Sequence, residues 1–275
     1  MPRSPTSTYV ESAPRPALAG VVRTVWVQHT GAEPYAQRNL PTGGVELVCR
    51  LGGLPRLTGP LTRPDVDVIA PHTTVVGVRF SPGTLRLPVA LDELADQRIG
   101  LDELWGHDAS RLGEAIADAP AGATLDLVQD HLASRLRPGA ADPLVAEAVR
   151  RLMPWRPVEV ASLADDLAIS ASQLRRRFLR RVGIGPKPLQ RTLRFQGFLA
   201  LAQAGVGDGL TGMALDAGYA DHAHLCRECL RLTGLTPREL LGAPDRCACG
   251  HDHSASYRPF LADLRVPAGA GAMAS

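Results

Sequence analysis

The chain has 275 residues, 45% of them hydrophobic, and 30 Lys and Arg against 28 Asp and Glu give a net charge of +2. That apolar content excludes a disordered chain, and the length suits two modest domains, each with its own core. The longest apolar runs fall far short of the roughly 20 residues a membrane span requires, and the opening MPRSPTSTYVESAPRP has no signal-like stretch, so a cytoplasmic protein without a membrane partner is expected.

Between residues 21 and 80, β-prone runs (VVRTVWVQ, VELVCRL, DVDVIA, TTVVGVRF) alternate with the Gly/Pro punctuation PTGG, LTGP and SPG. This pattern predicts a small antiparallel β domain. His29, Glu46, His72 and Arg79 lie in or beside these runs and are candidates to line an effector pocket, in which Arg79 would suit an anionic ligand. The plainer alternative is that they are edge residues or satisfied partners. From Leu91 the period becomes helical, and in ATLDLVQDHLASRLR the residues Leu125, Val128, Leu132 and Leu136 form one apolar stripe, suited to a core or a dimer seam. Pro138-Gly139 breaks it, DPLVAEAVRRLM reads as a further helix, and Pro154 and Pro157 mark a domain boundary, which gives a regulatory domain over 1–154.

The next segment, 155–241, contains a degenerate repeat. Leu174, Phe178, Gly183, Pro186 and Leu189 return 51 positions on as Leu225, Cys229, Gly234, Pro237 and Leu240. Two copies of one supersecondary unit follow. In the first copy Ser162 is placed to cap a helix carrying Leu163, Ala164 and Leu167, and Ser170 to Gln173 has the form of a capping box opening a second helix. Ala164 and Ala214 hold equivalent positions, where a small side chain lets the second helix cross closely.

A helical projection turns Leu174 and Phe178 inward and Ser172, Arg176 and, on the flanks, Arg175 and Arg180 outward. In the second copy it buries Leu225 and Cys229 and exposes Ala223 and Arg227, with Cys226 and Arg231 flanking. An outward arginine early in such a helix suits bidentate bonding to guanine in the major groove. Basic residues also crowd this region, from Arg175 through Arg191 to Arg194, with no acid among them. Such a field suits a polyanion, although a solvated helix face would look the same. PLQRTLRFQGFLALAQ between the copies reads as one continuous helix with Phe195, Phe198, Leu199 and Ala202 at core spacing.

SLADDLAISASQLRRRFLRRVGIGPKPLQRTLRF and GYADHAHLCRECLRLTGLTP resemble the two halves of the AraC-type DNA-binding domain, with Gly218, Tyr219, Asp221, His224, Arg227, Gly234, Thr236 and Pro237 matching that family's signature. The resemblance implies an all-α domain of seven helices with two helix-turn-helix motifs behind a β-rich domain, an α+β chain overall. It places DNA contacts at Ser172, Arg175 and Arg176, and at His222, Ala223, Cys226 and Arg227. Arg180 and Arg231, on the flanks of the two projections, and Arg191, as a phosphate contact from the basic run, join the expected DNA-facing set. Double-stranded DNA, a second copy of the chain, RNA polymerase and a small-molecule effector are the implied partners. Cys229 departs from the family, which usually has Phe there, so looser packing of the second motif is expected. The amino-terminal half is also similar to an uncharacterised β-rich domain often found ahead of this module, through LPTGGVELV, LTGP, GVRFSPG and LDELADQRIGLDELWG.

The tail, 242–275, places Cys247, Cys249, His251 and His253 at alternating positions, ligand types that suit Zn²⁺ or Cu⁺ if the chain curls at Gly250; a polar tail without metal is the alternative. Five cysteines, an odd number without framework-like spacing, favour thiols or metal ligands over disulfides. The expected function is a DNA-binding transcription regulator and not an enzyme. Its rivals are a metal sensor or buffer using the tail, and a small-molecule enzyme with an accessory nucleic-acid-binding domain, for which no paired nucleophile and base or phosphate loop is present.

Overall fold

In the computed structural model, residues 7–120, 122–136, 141–155, 158–242 and 253–262 are described. The valine-rich runs become strands because alternating β-branched residues pack well on a pleated surface. The strands are β1 (Ser7–Ser12), β2 (Val22–Thr30), β3 (Tyr35–Asn39), β4 (Glu46–Arg50), β5 (Arg56–Thr58), β6 (Asp65–Ile69), β7 (Thr74–Phe80) and β8 (Arg98–Gly100). Six form one antiparallel sheet in the order β1-β2-β7-β4-β5-β8, and β3 pairs with β6 in a small second sheet.

Strand pleat divides the large sheet into two faces. Val25, Leu47, Val76 and Val78 form one, packed against Leu112 and Ile116 of α2 (His107–Asp118) and Val128 and Leu132 of α3 (Thr124–Arg135), with α1 (Leu101–Trp105) leading in. Trp26, Val75 and Val48 belong to the opposite face and meet Ile69 of the small sheet. Gly77 is required there: a Cβ would lie 2.1 Å from Cε2 of Trp26, so the indole lies directly over the glycine.

The helical domain holds α4 (Pro143–Arg151), α5 (Val160–Asp166), α6 (Ala171–Val182), α7 (Pro186–Ala204), α8 (Gly209–Asp216), α9 (His222–Thr233) and α10 (Pro237–Gly242). These are the seven helices that the resemblance implied, and α4 is one of them. Val145, Ala148 and Leu152 of the α4 segment are buried in the same core as Leu163, Leu174, Phe178 and Leu225. Asp142 caps α4 by accepting from Leu144 and Val145 and also pairs with Arg177 of α6 at 2.5 Å. Ser162 does not cap α5: the helix begins at Val160, and the Ser162 hydroxyl donates back to the carbonyl of Glu159 at 3.0 Å.

The two domains meet along several polar contacts. Gln196 of α7 donates to the carbonyl of Pro41 at 2.8 Å, and Arg38 of β3 donates to the carbonyl of Thr233, at the end of α9, at 3.1 Å. The helix α11 (Ser254–Ala262) lies across the joint with Ser256, Tyr257 and Phe260 buried. Glu11 of β1 accepts from the Ser256 amide at 2.8 Å, from its hydroxyl at 2.9 Å and from His253 Nδ1 at 2.8 Å, and it pairs with Arg79. Burial alone would raise the Glu11 carboxyl, but Arg79 and the His253 hydrogen bond outweigh it and hold that carboxyl well below the usual range.

Two outcomes follow from this packing. Fragments covering 142–242 and 155–242 should differ in stability, because the shorter one loses buried Val145 and Leu152, worth roughly 3–6 kcal/mol as an upper bound. Paired thermal melts by circular dichroism check this. A group whose folded pKa is depressed contributes stability above its unfolded value, about 4.3 for Glu, and loses it as pH falls through the folded one. The melting-temperature gap between wild type and Glu11→Gln should therefore be full at neutral pH and close only below about pH 4.

Candidate nucleic-acid interface and effector cavity

Ser170 opens α6 with the expected capping box: its hydroxyl accepts from the Gln173 amide at 3.2 Å, and Gln173 Oε1 accepts from the Ser170 amide at 2.9 Å. That fixes the rotation of the helix. Leu174, Phe178 and Val182 turn into the core, while Ser172, Arg175, Arg176 and Arg180 are exposed. The three arginines have no ion-pair or hydrogen-bond partner among the described residues. Gly183 ends the helix in the left-handed region at φ +85°, and a Cβ there would lie 2.7 Å from the Leu91 carbonyl of the β domain.

In the second unit Asp221 caps α9 by accepting from the His224 amide at 2.6 Å. Leu225, Cys229 and Leu232 are buried, and His222, Ala223, Arg227 and Arg231 are exposed, with Cys226 half-buried 3.7 Å from the His222 ring nitrogens. Both projections from sequence therefore match the solvent-facing sides of α6 and α9. Cys229 is fully buried, with Sγ 3.9 Å from the Thr233 hydroxyl, and burial pushes its thiol up to about 11. Cys226 faces the other way, so the two thiols do not share a site.

Arg191 departs from its expected phosphate-contacting role. It lies on α7, where Nε and Nη2 grip both oxygens of Glu228 on α9 at 2.6 and 3.0 Å, so it is a strut between connector and second motif. Nothing near Arg191 in sequence announces an acid 37 positions away. Arg194 similarly lies over the Tyr219 ring, 5.7 Å from its centroid. The basic run thus separates by geometry into tied arginines and the unpaired group on α6.

The β domain encloses a cavity of about 320 Å³ between its two sheets, with Trp26, Gln28, Glu46, Arg50, Asp67 and Arg79 in its wall. Trp26 Nε1 donates to Glu46 Oε1 at 2.7 Å, and Arg79 Nε lies 2.9 Å from the same oxygen, though not aligned to donate to it. Arg50 and Arg98 converge on Asp67 at 2.6 and 3.2 Å. An aromatic face, amides at Gln28 and Gln37, and fixed charges of both signs give this cavity a largely polar wall.

The structure brings together two of the four candidate pocket residues. Glu46 and Arg79 are direct partners, whereas His29 and His72 lie elsewhere. His29 is an odd position on β2, on the opposite pleat face from Trp26 and Gln28; it meets the Thr74 hydroxyl at 2.9 Å and borders a separate open hollow with Leu125 and Asp126. His72 is an exposed turn residue at φ +52°. Strand parity alone could have sorted Trp26 in and His29 out. Cys247, Cys249 and His251 lie outside the described residues, and His253 is bonded to Glu11. Among the described residues no group of three His, Cys, Asp or Glu side chains could hold a metal, and no helix is long and apolar enough to cross a membrane.

Comparison with known proteins adds family matches to this geometry. Residues 10–100 match the family "Domain of unknown function (DUF6597)", and residues 163–243 match a family described as "Helix-turn-helix domain". A Streptomyces lividans protein described as an "AraC-like transcription regulator" is 37% identical over 110 residues, 39% of this chain and 36% of that one. The match thus spans about a third of the relative's length. Among solved structures, ToxT from Vibrio cholerae bound to (E)-4-(8-methylnaphthalen-1-yl)but-3-enoic acid is similar at 12% identity and TM-score 0.45, over 86% of this chain and 97% of that one. An apo ToxT variant from the same organism gives 12% and 0.44, over 87% and 98%. Residues 163–243 are thus a helix-turn-helix domain of the AraC type, set behind a DUF6597 domain at residues 10–100.

Proposed function

We propose that the chain is a sequence-specific transcription regulator that places α6 and α9 in successive major grooves of double-stranded DNA. The observation that carries this reading is the matched pair of capped helices, each with its apolar side buried and an arginine outward at Arg176 and at Arg227. The 19 residues of α7 join them over about 28 Å, a span suited to grooves one helical turn, roughly 34 Å, apart. Ser172 and Arg175 on α6, and His222, Ala223 and Cys226 on α9, complete the base-reading set, with Arg180 and Arg231 on its margin.

The cavity between the two sheets is the effector site in this reading. Its wall joins the face of Trp26 to the Glu46–Arg79 pair, so small polar molecules with an aromatic or flat body suit it. We read the chain as a regulator and not an enzyme, cytoplasmic, acting as a homodimer and with RNA polymerase. A Zn²⁺ or Cu⁺ ion on Cys247, Cys249, His251 and His253 is part of the proposal, and elemental analysis of the purified protein tests it.

Sites selected from a random DNA pool, followed by footprinting, test the central claim. Two protected segments about one helical turn apart on one face of the duplex are expected. Arg176→Ala and Arg227→Ala should each weaken specific binding by about 1–3 kcal/mol, roughly 5–150-fold, and relax the preferred base in one segment. Arg191→Ala should instead lower the melting temperature, since it removes the strut to Glu228. A single protected segment unaffected by Arg227→Ala would remove α9 from the DNA-reading role.

A further inference from the structure

Arg79 touches both the effector cavity and α11. Its Nη1 pairs with Glu11 and donates to the Ser256 hydroxyl at 2.8 Å, while its Nε faces Glu46 across the cavity wall. Glu46, Arg79, Gln37 and Asn39 also line a second, smaller space of about 50 Å³ whose far side is formed by His253, Ser256 and Tyr257. One guanidinium therefore stands between a ligand-sized cavity and the closing helix.

The opposite face of α11 belongs to the helical domain. Tyr257 and Phe260 are buried in its core, the Phe260 carbonyl accepts from Trp155 Nε1 at 2.6 Å, and Ser254 accepts from Gln203 of α7 at 3.2 Å. We propose that α11 is a latch between the two domains, opened when a carboxylate-bearing small molecule in the cavity takes Arg79 away from Glu11 and Ser256. The inference rests on reading the cavity as the effector site. A carboxylate is the matching chemistry because both groups that Arg79 now pairs with, Glu11 and Glu46, are carboxylates.

The closed state also carries a cost that brings it within a ligand's reach. Arg23, on β2 beneath α11, has Nε and Nη2 buried without a hydrogen-bond partner among the described residues. Its Nη1 reaches the Thr42 carbonyl at 3.4 Å, and its guanidinium lies 6.0 Å from the Phe260 ring centroid. Lifting α11 would return those N–H groups to water, which offsets part of the packing lost at Tyr257 and Phe260. A ligand shifts such an equilibrium by its differential affinity for the open state, so a closed state already burdened by a desolvated cation needs less of it. Opening takes α11 off the connector α7 and leaves the two domains joined by bonds such as Gln196 to the Pro41 carbonyl and Arg38 to the Thr233 carbonyl, and this looser joint changes how α6 and α9 are held for DNA.

The test uses the full chain and hydrogen–deuterium exchange of the 254–262 amides, alongside affinity for the selected DNA site. Ser256→Ala and Trp155→Phe remove different bonds of the latch, from the β side and from the helical side. Each should speed exchange in 254–262 by roughly tenfold or more and change specific DNA affinity by roughly threefold or more, with β-sheet amides unchanged. Titration with sodium acetate, succinate and citrate should reproduce the faster exchange in wild type and not in Arg79→Gln. Unchanged protection of 254–262 in both variants, or faster exchange with the same DNA affinity, overturns the latch. Variants that behave as expected while none of the three carboxylates speeds 254–262 exchange in wild type would overturn ligand-driven opening and remove the effector reading of the cavity, leaving α11 as a fixed tie between the domains.

Discussion

Helix α7 has almost no free side. Pro186, Leu189, Thr192, Leu193, Phe195 to Leu201 in unbroken succession are buried, so the helix is covered around its circumference by both motifs, α4, α11 and the β domain. A helix enclosed in this way cannot rotate without disturbing every neighbour at once. Gly197 shows how close the fit is, since a Cβ there would lie 2.8 Å from Cγ of Pro154. The spacing of α6 and α9 is thus fixed by core packing, and loops only close the chain around it.

Charge is arranged around that axis in two ways. Where arginines meet acids across elements, as Arg191 with Glu228, Arg177 with Asp142 and Arg151 with Asp166, they tie helices together. On α6 the arginines at 175, 176 and 180 meet no acid among the described residues, so their field extends into solvent. An overall charge of +2 conceals this separation. The positive surface of α6 arises because the structural acids pair with other arginines.

Sequence revealed most where a local rule decides the outcome. The capping box at Ser170, the apolar positions at Leu174 and Phe178 and the valine-rich strands were all legible, because capping and periodicity act within a few residues. Short strands such as Arg56–Thr58 and Arg98–Gly100, three residues each with a single β-branched side chain, are too short to show a period of two and exist because a neighbouring edge offers them a ladder. The helix α11 was hidden by Pro259 in its interior, a residue that argues for a break yet is accommodated beside buried Phe260. The partners of Arg191 and Arg79 were beyond sequence reach, since each depends on chain segments far apart along the backbone. His29 differs from these, because the alternation of side chains along β2 is a local rule that sets it on the opposite pleat face from Trp26 and Gln28.

The chain has three tryptophans, and each occupies a different joint. Trp26 shares Glu46 with Arg79 in the cavity wall, and Trp105 carries the Arg135 guanidinium 4.4 Å above its ring where α1 meets α3. Trp155 holds the Phe260 carbonyl at the end of α11. Indole emission depends on hydrogen bonding at Nε1 and on nearby charge, and those surroundings differ at all three positions. Variants retaining one indole each would give the molecule three built-in optical reporters, separately sensitive to the cavity, the helical flank of the sheet and the seam between domains, without any added dye.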